Sequence, residues 1–127
     1  MHEKAVYEYA VVRLVPRIER EEFINVGLLM MCKRHRRLQM RLRIDDARLA
    51  AIAPDADLCP ALDQLHGFER ICRGEAEAGP IAAYPVEERF RWLTAAKSAC
   101  VQTSRPHPGL TTDFDTTFER LFAELVG

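Results

Sequence analysis

Three groups of residues have the types and spacing to do chemistry. The first lies between two apolar runs and holds Arg13, Arg17, Glu19, Arg20, Glu21, Glu22 and Asn25. A connection between adjacent strands brings several such residues to one sheet edge, where a carboxylate beside arginines binds phosphate or moves a proton. The plainer reading is a solvated loop whose surface ion pairs contribute about 0–1 kcal/mol each. Asn25 and Gly27 are less ordinary. Asn is disfavoured inside a central strand, and Gly there marks a bulge or the close approach of another backbone.

The second group is Glu87-Glu88-Arg89-Phe90-Arg91-Trp92-Leu93-Thr94. As a helix it buries Phe90 and Leu93, and Arg89 and Arg91 point in different directions, so both cannot face one ligand from it. Trp92 lies to one side, where it stacks on a base or packs against a neighbour. A lone Trp in a small protein is more often core or interface.

The third group is cationic. Residues 33–43 carry Lys33, Arg34, Arg36, Arg37, Arg41 and Arg43 and no acid, which leaves 12 cations against 19 acids elsewhere, a net −7. A basic hairpin can track a phosphate backbone with a steep salt dependence. It can equally be a solubilising edge that blocks sheet-to-sheet pairing. No aromatic residue interleaves it and the whole chain carries −1, so strong nucleic-acid binding is not expected.

The remaining chemistry is sparse. None of the four histidines has the spacing of a metal motif, and only His107, in a proline-rich stretch, is a catalytic candidate. There is no G-x-S-x-G, P-loop or G-x-G-x-x-G, so no cofactor is expected. Cys32, Cys59, Cys72 and Cys100 form no C-x-x-C pair. They read as reduced thiols, buried at positions 32, 72 and 100, with no metal bound.

These groups must be positioned by secondary structure. Val6–Val15 reads as a strand ending at Pro16. Phe23–Lys33 is a second, nearly apolar on both faces and therefore central. Leu38, Met40, Leu42 and Ile44 alternate with Gln39, Arg41 and Arg43, a strand with one face in water. The glycine-free turn between the last two is expected to be irregular. The pattern then becomes helical. Asp45 or Asp46 caps a short helix through Ile52. A second, capped by Asp55 or Asp57, carries Leu58, Leu62, Leu65, Phe68 and Cys72 on one face and ends at Gly74. A third starts at Pro85 and runs to Ala95. Ser98–Ser104 reads as a fourth strand, Arg105–Gly109 as a loop, and a last helix starts at Thr112 with Asp115 in its first turn. Its core stripe is Phe114, Phe118, Leu121, Phe122 and Leu125. Early strands followed by helices give an α+β protein, with a mainly antiparallel sheet of about four strands and helices packed on one face.

The 127 residues are 48% apolar and 29% charged, the profile of one folded domain over residues 1–127. The longest apolar run, Val26–Cys32, is too short to span a bilayer, and the N-terminus is not a signal peptide, so a cytoplasmic protein is expected.

Tyr7-Glu8-Tyr9-Ala10-Val11-Val12-Arg13, Val15-Pro16-Arg17 and Glu22-Phe23-Ile24-Asn25-Val26-Gly27 resemble the opening of an uncharacterised bacterial family, the domain of unknown function DUF3037. Ala78-Gly79-Pro80-Ile81, Arg89–Ala95 and His107-Pro108-Gly109-Leu110 resemble its second half. The resemblance implies no activity. Genes of this family often stand beside one for a HipA-like kinase, which implies a kinase-like partner. The chain departs from the family in the density of arginine at Arg34–Arg43.

The leading expectation is a non-enzymatic interaction or regulatory protein, with an anion or partner surface drawn from Arg13, Glu22, Asn25, Arg89, Arg91, Trp92 and His107. Two alternatives stand beside it. One is an enzyme or ligand-binding domain for a phosphate-bearing or other anionic substrate. The other is a weak nucleic-acid binder using Arg34, Arg36, Arg37, Arg41 and Arg43. The segments around Glu22–Gly27 and Arg89–Thr94 are expected to meet in space, through either a buried Arg–carboxylate pair or an open cleft.

Overall fold

A computed structural model describes residues 3–95 and 100–127. Its element order is β1 (Ala5–Leu14), β2 (Ile24–Cys32), β3 (Arg37–Leu42), α1 (Asp46–Ile52), α2 (Cys59–Arg73), α3 (Val86–Thr94), β4 (Val101–Thr103), β5 (His107–Thr111) and α4 (Phe114–Leu125). All pairings are antiparallel: β3 lies on β2, β2 on β1, and β1 takes β5 along its first half and β4 along its second. Ser104 bridges the break between β4 and β5. Its backbone N–H donates to the Val11 carbonyl at 2.8 Å, and its hydroxyl accepts from the Val11 N–H at 2.9 Å.

The α+β class and the antiparallel sheet agree with the sequence reading. Five strands form rather than about four, because His107–Thr111 is a strand where a loop was expected. Its Pro108 is tolerated because the outermost strand need not donate a full ladder. Gly109 is required there, since a Cβ would fall inside the Tyr7 ring. The fourth strand begins at Val101; of the expected start, residues 98 and 99 lie outside the described residues.

The helices cover both faces of the sheet, not one. On the first face Leu49 of α1, Leu65, Phe68 and Ile71 of α2, and Phe90 and Leu93 of α3 pack on Val12, Leu14, Val26, Leu29, Met31 and Val101. On the second, Phe114, Phe118 and Leu121 of α4 pack on Ala5, Tyr7, Leu28, Met30 and Cys32. The cause is β2 itself. A strand apolar on both sides needs both sides removed from water, at roughly 25 cal/mol per Å² of apolar surface.

A bulge in β2 sets what each face holds. Val12 pairs with Gly27 and Arg13 with Asn25, so Val26 is the extra residue. Val26 therefore joins the first core while Asn25 turns to the α4 side. Gly27 also lets β3 approach closely: a Cβ would stand 2.7 Å from Leu42 Cδ2 and 2.8 Å from the Arg41 carbonyl oxygen.

The helix ends follow local chemistry. Asp45 caps α1 by accepting from the N–H groups of Ala47 and Arg48, and Gly74 closes α2 at φ 73°. The last helix starts two residues later than expected, because β5 runs through Thr111. Asp113 takes the cap, accepting from the Thr116 N–H. In the glycine-free turn between β2 and β3, Arg36 adopts φ 52°, a left-handed conformation uncommon outside Gly, Asn and Asp.

Candidate docking groove and the placement of the predicted residues

The basic hairpin is split in two by the fold. Arg37, Gln39 and Arg41 occupy the face of β3 opposite Leu38, Met40 and Leu42. That face does not stand free in water, because α4 lies against it. Arg37 pairs with Asp115 at 2.7 Å and lies over the Phe114 ring. Arg41 grips Glu119 through both terminal nitrogens, at 2.7 and 2.6 Å, and lies near the rings of Phe118 and Phe122. Hydrogen bonding holds the Arg41 guanidinium above its ordinary pKa and the Glu119 carboxyl below its own. Arg43 donates to the Gly127 carbonyl. These three arginines fasten α4 and the chain beyond it to the sheet.

Lys33, Arg34 and Arg36 turn the other way and border an open groove of about 1150 Å³. Its floor is the start of β1 with Met31 of β2, and its far wall is the first part of α3. Lys4, Lys33, Arg34, Arg36, Arg89 and Arg91 line it, against two acids, Glu8 and Glu87. Arg34 is paired with Glu3. Among the described residues Lys4, Lys33, Arg36 and Arg91 form no ion pair. Apolar Val6 and Val86 lie between the cations. Val6 is 60% exposed, and its cross-strand partner Leu110 is 62% exposed.

Arg89 and Arg91 border the same groove, contrary to the expectation from helix geometry. Two positions on one helix do diverge, but an opening this broad runs past the helix and takes in both long side chains. Arg89 is also anchored. Its Nε donates to the Tyr84 carbonyl at 2.9 Å and its Nη1 to the Cys72 and Ile71 carbonyls at 2.9 and 3.3 Å. It satisfies carbonyls that the end of α2 leaves without intrahelical partners.

The two segments expected to meet do not. Glu22 pairs with Arg20 in the exposed connection after β1. Asn25 sits on the α4 side, where its Nδ2 donates to the Leu125 carbonyl at 3.2 Å. Arg89 lies on the opposite side, with α2 and α3. The bulge at Val26 is the physical reason, since it sends Asn25 away from the face that α3 covers. Trp92 packs edge-on against Phe68 of α2, with ring centroids 6.1 Å apart.

Arg13, Asn25 and His107 share the α4 side. Arg13 and Asn25 are cross-strand partners, and the Arg13 guanidinium lies 4.2 Å from the centre of the Phe23 ring. His107 faces Tyr9, with centroids 5.3 Å apart. This second cluster was not separable in the sequence from the groove residues. The signal that could have parted them was the bulge implied by Gly27.

The cysteines are free thiols: Cys32 and Cys72 are buried, Cys100 is half-buried rather than buried, and Cys59 is exposed. Burial pushes the Cys72 thiol up to about 12. Among the described residues no group of three His, Cys, Asp or Glu side chains is placed to hold a metal ion. Nor is any helix among them long and apolar enough to cross a membrane.

The molecule is thus an α+β protein with a five-stranded antiparallel sheet, helices on both of its faces and a cationic groove at one end of the first. The chain belongs to the DUF3037 family, described as a protein of unknown function, whose sequence profile matches residues 9–126. No curated protein and no solved structure matches it significantly.

Proposed function

We propose that the protein is a non-enzymatic interaction module that receives an acidic segment of a partner protein in the groove between the β2–β3 turn and α3. The observation carrying this reading is the groove's charge. Six cations and two acids line it in a chain whose net charge is −1. Charge of this kind speeds encounter and selects partners more than it adds affinity, which suits a regulatory contact.

Two features favour a protein segment over nucleic acid. The lining mixes cations with apolar Val6 and Val86, and Tyr7, the one aromatic residue among its described members, is buried and offers no face for base stacking. Arg36 adds a further point: a left-handed turn position that would suit Gly carries an arginine directed to the groove.

The kinase-like partner implied by the family resemblance, a HipA-like kinase, is the first full-length candidate. The basic test uses a labelled acidic peptide with interspersed leucines, followed by fluorescence anisotropy. The expected result is binding that weakens as salt rises and falls about tenfold or more in a Lys33→Glu, Arg91→Glu double variant. Arg36→Gly relieves the backbone and removes the charge, so it should weaken binding without loss of stability. Equal binding by wild type and these variants would refute the reading.

A further inference from the structure

We infer that Arg13 and Asn25 form a second, independent site on the α4 side of the sheet, one that takes an oxyanion, a phosphate or carboxylate group of a small ligand. The sheet register sets the site: Asn25 on β2, Arg13 on β1 and Gln102 on β4 stand side by side in one row across three strands. The face is fixed by the Asn25 contact to the end of α4.

Two buried polar atoms in this row lack hydrogen-bond partners, and the donor of the pair, on Arg13, points to an anion. The Arg13 Nε and the Asn25 Oδ1 are both buried and have no hydrogen-bond partner among the described residues. Such atoms are uncommon in folded proteins and each needs a reason. Arg13 and Asn25 are cross-strand neighbours, so a small side-chain shift or a bridging water can join Nε to Oδ1 and satisfy that acceptor within the protein. That junction uses a single donor of the five on a guanidinium. The forked Nη edge stays available, and this edge matches the two oxygens of a carboxylate or phosphate.

The arginine is also held in place. Phe23, itself 47% exposed, lies against the guanidinium at 4.2 Å, so the cation is fixed on a flat ring and not swinging in solvent. Among the described residues no salt bridge or side-chain hydrogen bond holds the Arg13 guanidinium, unlike those of Arg37 and Arg41 on the same face, which are tied to Asp115 and Glu119. The body of a ligand anchored here would extend along β1 toward Tyr9 and His107, where half-buried rings lie 5.3 Å apart. The end of α4 contributes opposing carbonyl charge near Asn25, so a bare anion is expected to bind weakly, with Kd on the order of millimolar.

The test is NMR on the 15N-labelled full chain, observing the Arg13 Nε–H and the Asn25 side-chain amide during titration with inorganic phosphate, and separately with acetate. Saturable shifts in both signals are expected, and the ratio of the two affinities identifies phosphate or carboxylate as the natural group. Arg13→Lys keeps the charge but loses the fork and the ring contact, and it should weaken binding about tenfold or more. If that variant is poorly folded, Phe23→Leu serves instead, since it frees the guanidinium without removing it and is expected to weaken binding several-fold. Linear, non-saturating shifts, or saturation unchanged in both variants, would overturn the site. The groove variants at Lys33 and Arg91 should leave this binding untouched, which keeps its failure distinct from failure of the docking reading.

Discussion

Arg89 shows how one side chain can serve packing and a surface at once. Its guanidinium closes the end of α2 through the Ile71 and Cys72 carbonyls and ties it to Tyr84, while bordering the groove. Arg89→Ala should destabilise the protein by about 1–3 kcal/mol, the range for charged hydrogen bonds, and Arg89→Lys should not restore it because an ammonium cannot copy the fork. Urea denaturation of the three proteins measures this, and equal midpoints would contradict it. Cys72 yields a second residue-scale prediction. Its thiol is pushed up to about 12 by burial, from an ordinary value of 9.0. The folded state therefore keeps a proton that the unfolded chain gives up. That stability is complete below about pH 9 and is lost as pH rises toward 12, to an upper limit of about 4 kcal/mol. Cys72→Ala should flatten the alkaline fall in stability; an identical fall in that variant would show that another group causes it. Neither role was legible in the sequence. Arg89 finds its acceptors 17 and 18 residues away, and no local pattern reports which helix end an arginine will meet.

The strands were legible because their patterns are strong: β2 is apolar on both sides and β3 alternates. What the pattern of β3 could not say is what its polar side faces. Arg37 and Arg41 resemble a solvated edge in sequence, and the fold sets them against the aromatic and acidic stripe of α4. The apolar second face of β2 already demanded a cover, and the Phe-rich stripe at positions 114, 118 and 122 was the available one. Arg105–Gly109 reads as a loop because prolines and glycine usually punctuate; at a sheet edge, with Tyr7 lying on Gly109, His107–Thr111 forms a strand instead. The α4 cover can be tested directly. Phe118, 1% exposed, should cost about 3–5 kcal/mol on change to Ala. The Arg41–Glu119 pair acts on pH dependence instead. Because the Glu119 carboxyl is held below its ordinary value, its contribution is present above the unfolded carboxylate range and is lost as pH falls through the folded one. Glu119→Gln should lower the thermal midpoint at neutral pH and make no difference in strong acid. A difference that persists in acid would mean the contact works by packing, not charge.

At the scale of the whole molecule the two sheet faces divide the labour. One end of the first face holds an open cationic groove, and the second face carries α4 and the Arg13–Asn25 row. The charge asymmetry of residues 33–43 was plain in the sequence, but its division between a groove rim and an α4 clamp depends on which way each side chain leaves the hairpin. The residues first grouped as one surface likewise separate: strand alternation turns Arg13 to the α4 side, and one extra residue in β2 turns Asn25 there as well. The docking function rests on the groove. Its most direct test is a 1H–15N correlation spectrum of the full chain titrated with the acidic, leucine-bearing peptide. Saturable shifts are expected, concentrated at residues 4–8, 31–36 and 85–91 and suppressed by the Lys33→Glu, Arg91→Glu double variant. Shifts centred on the α4 side, or no saturable shifts, would contradict it.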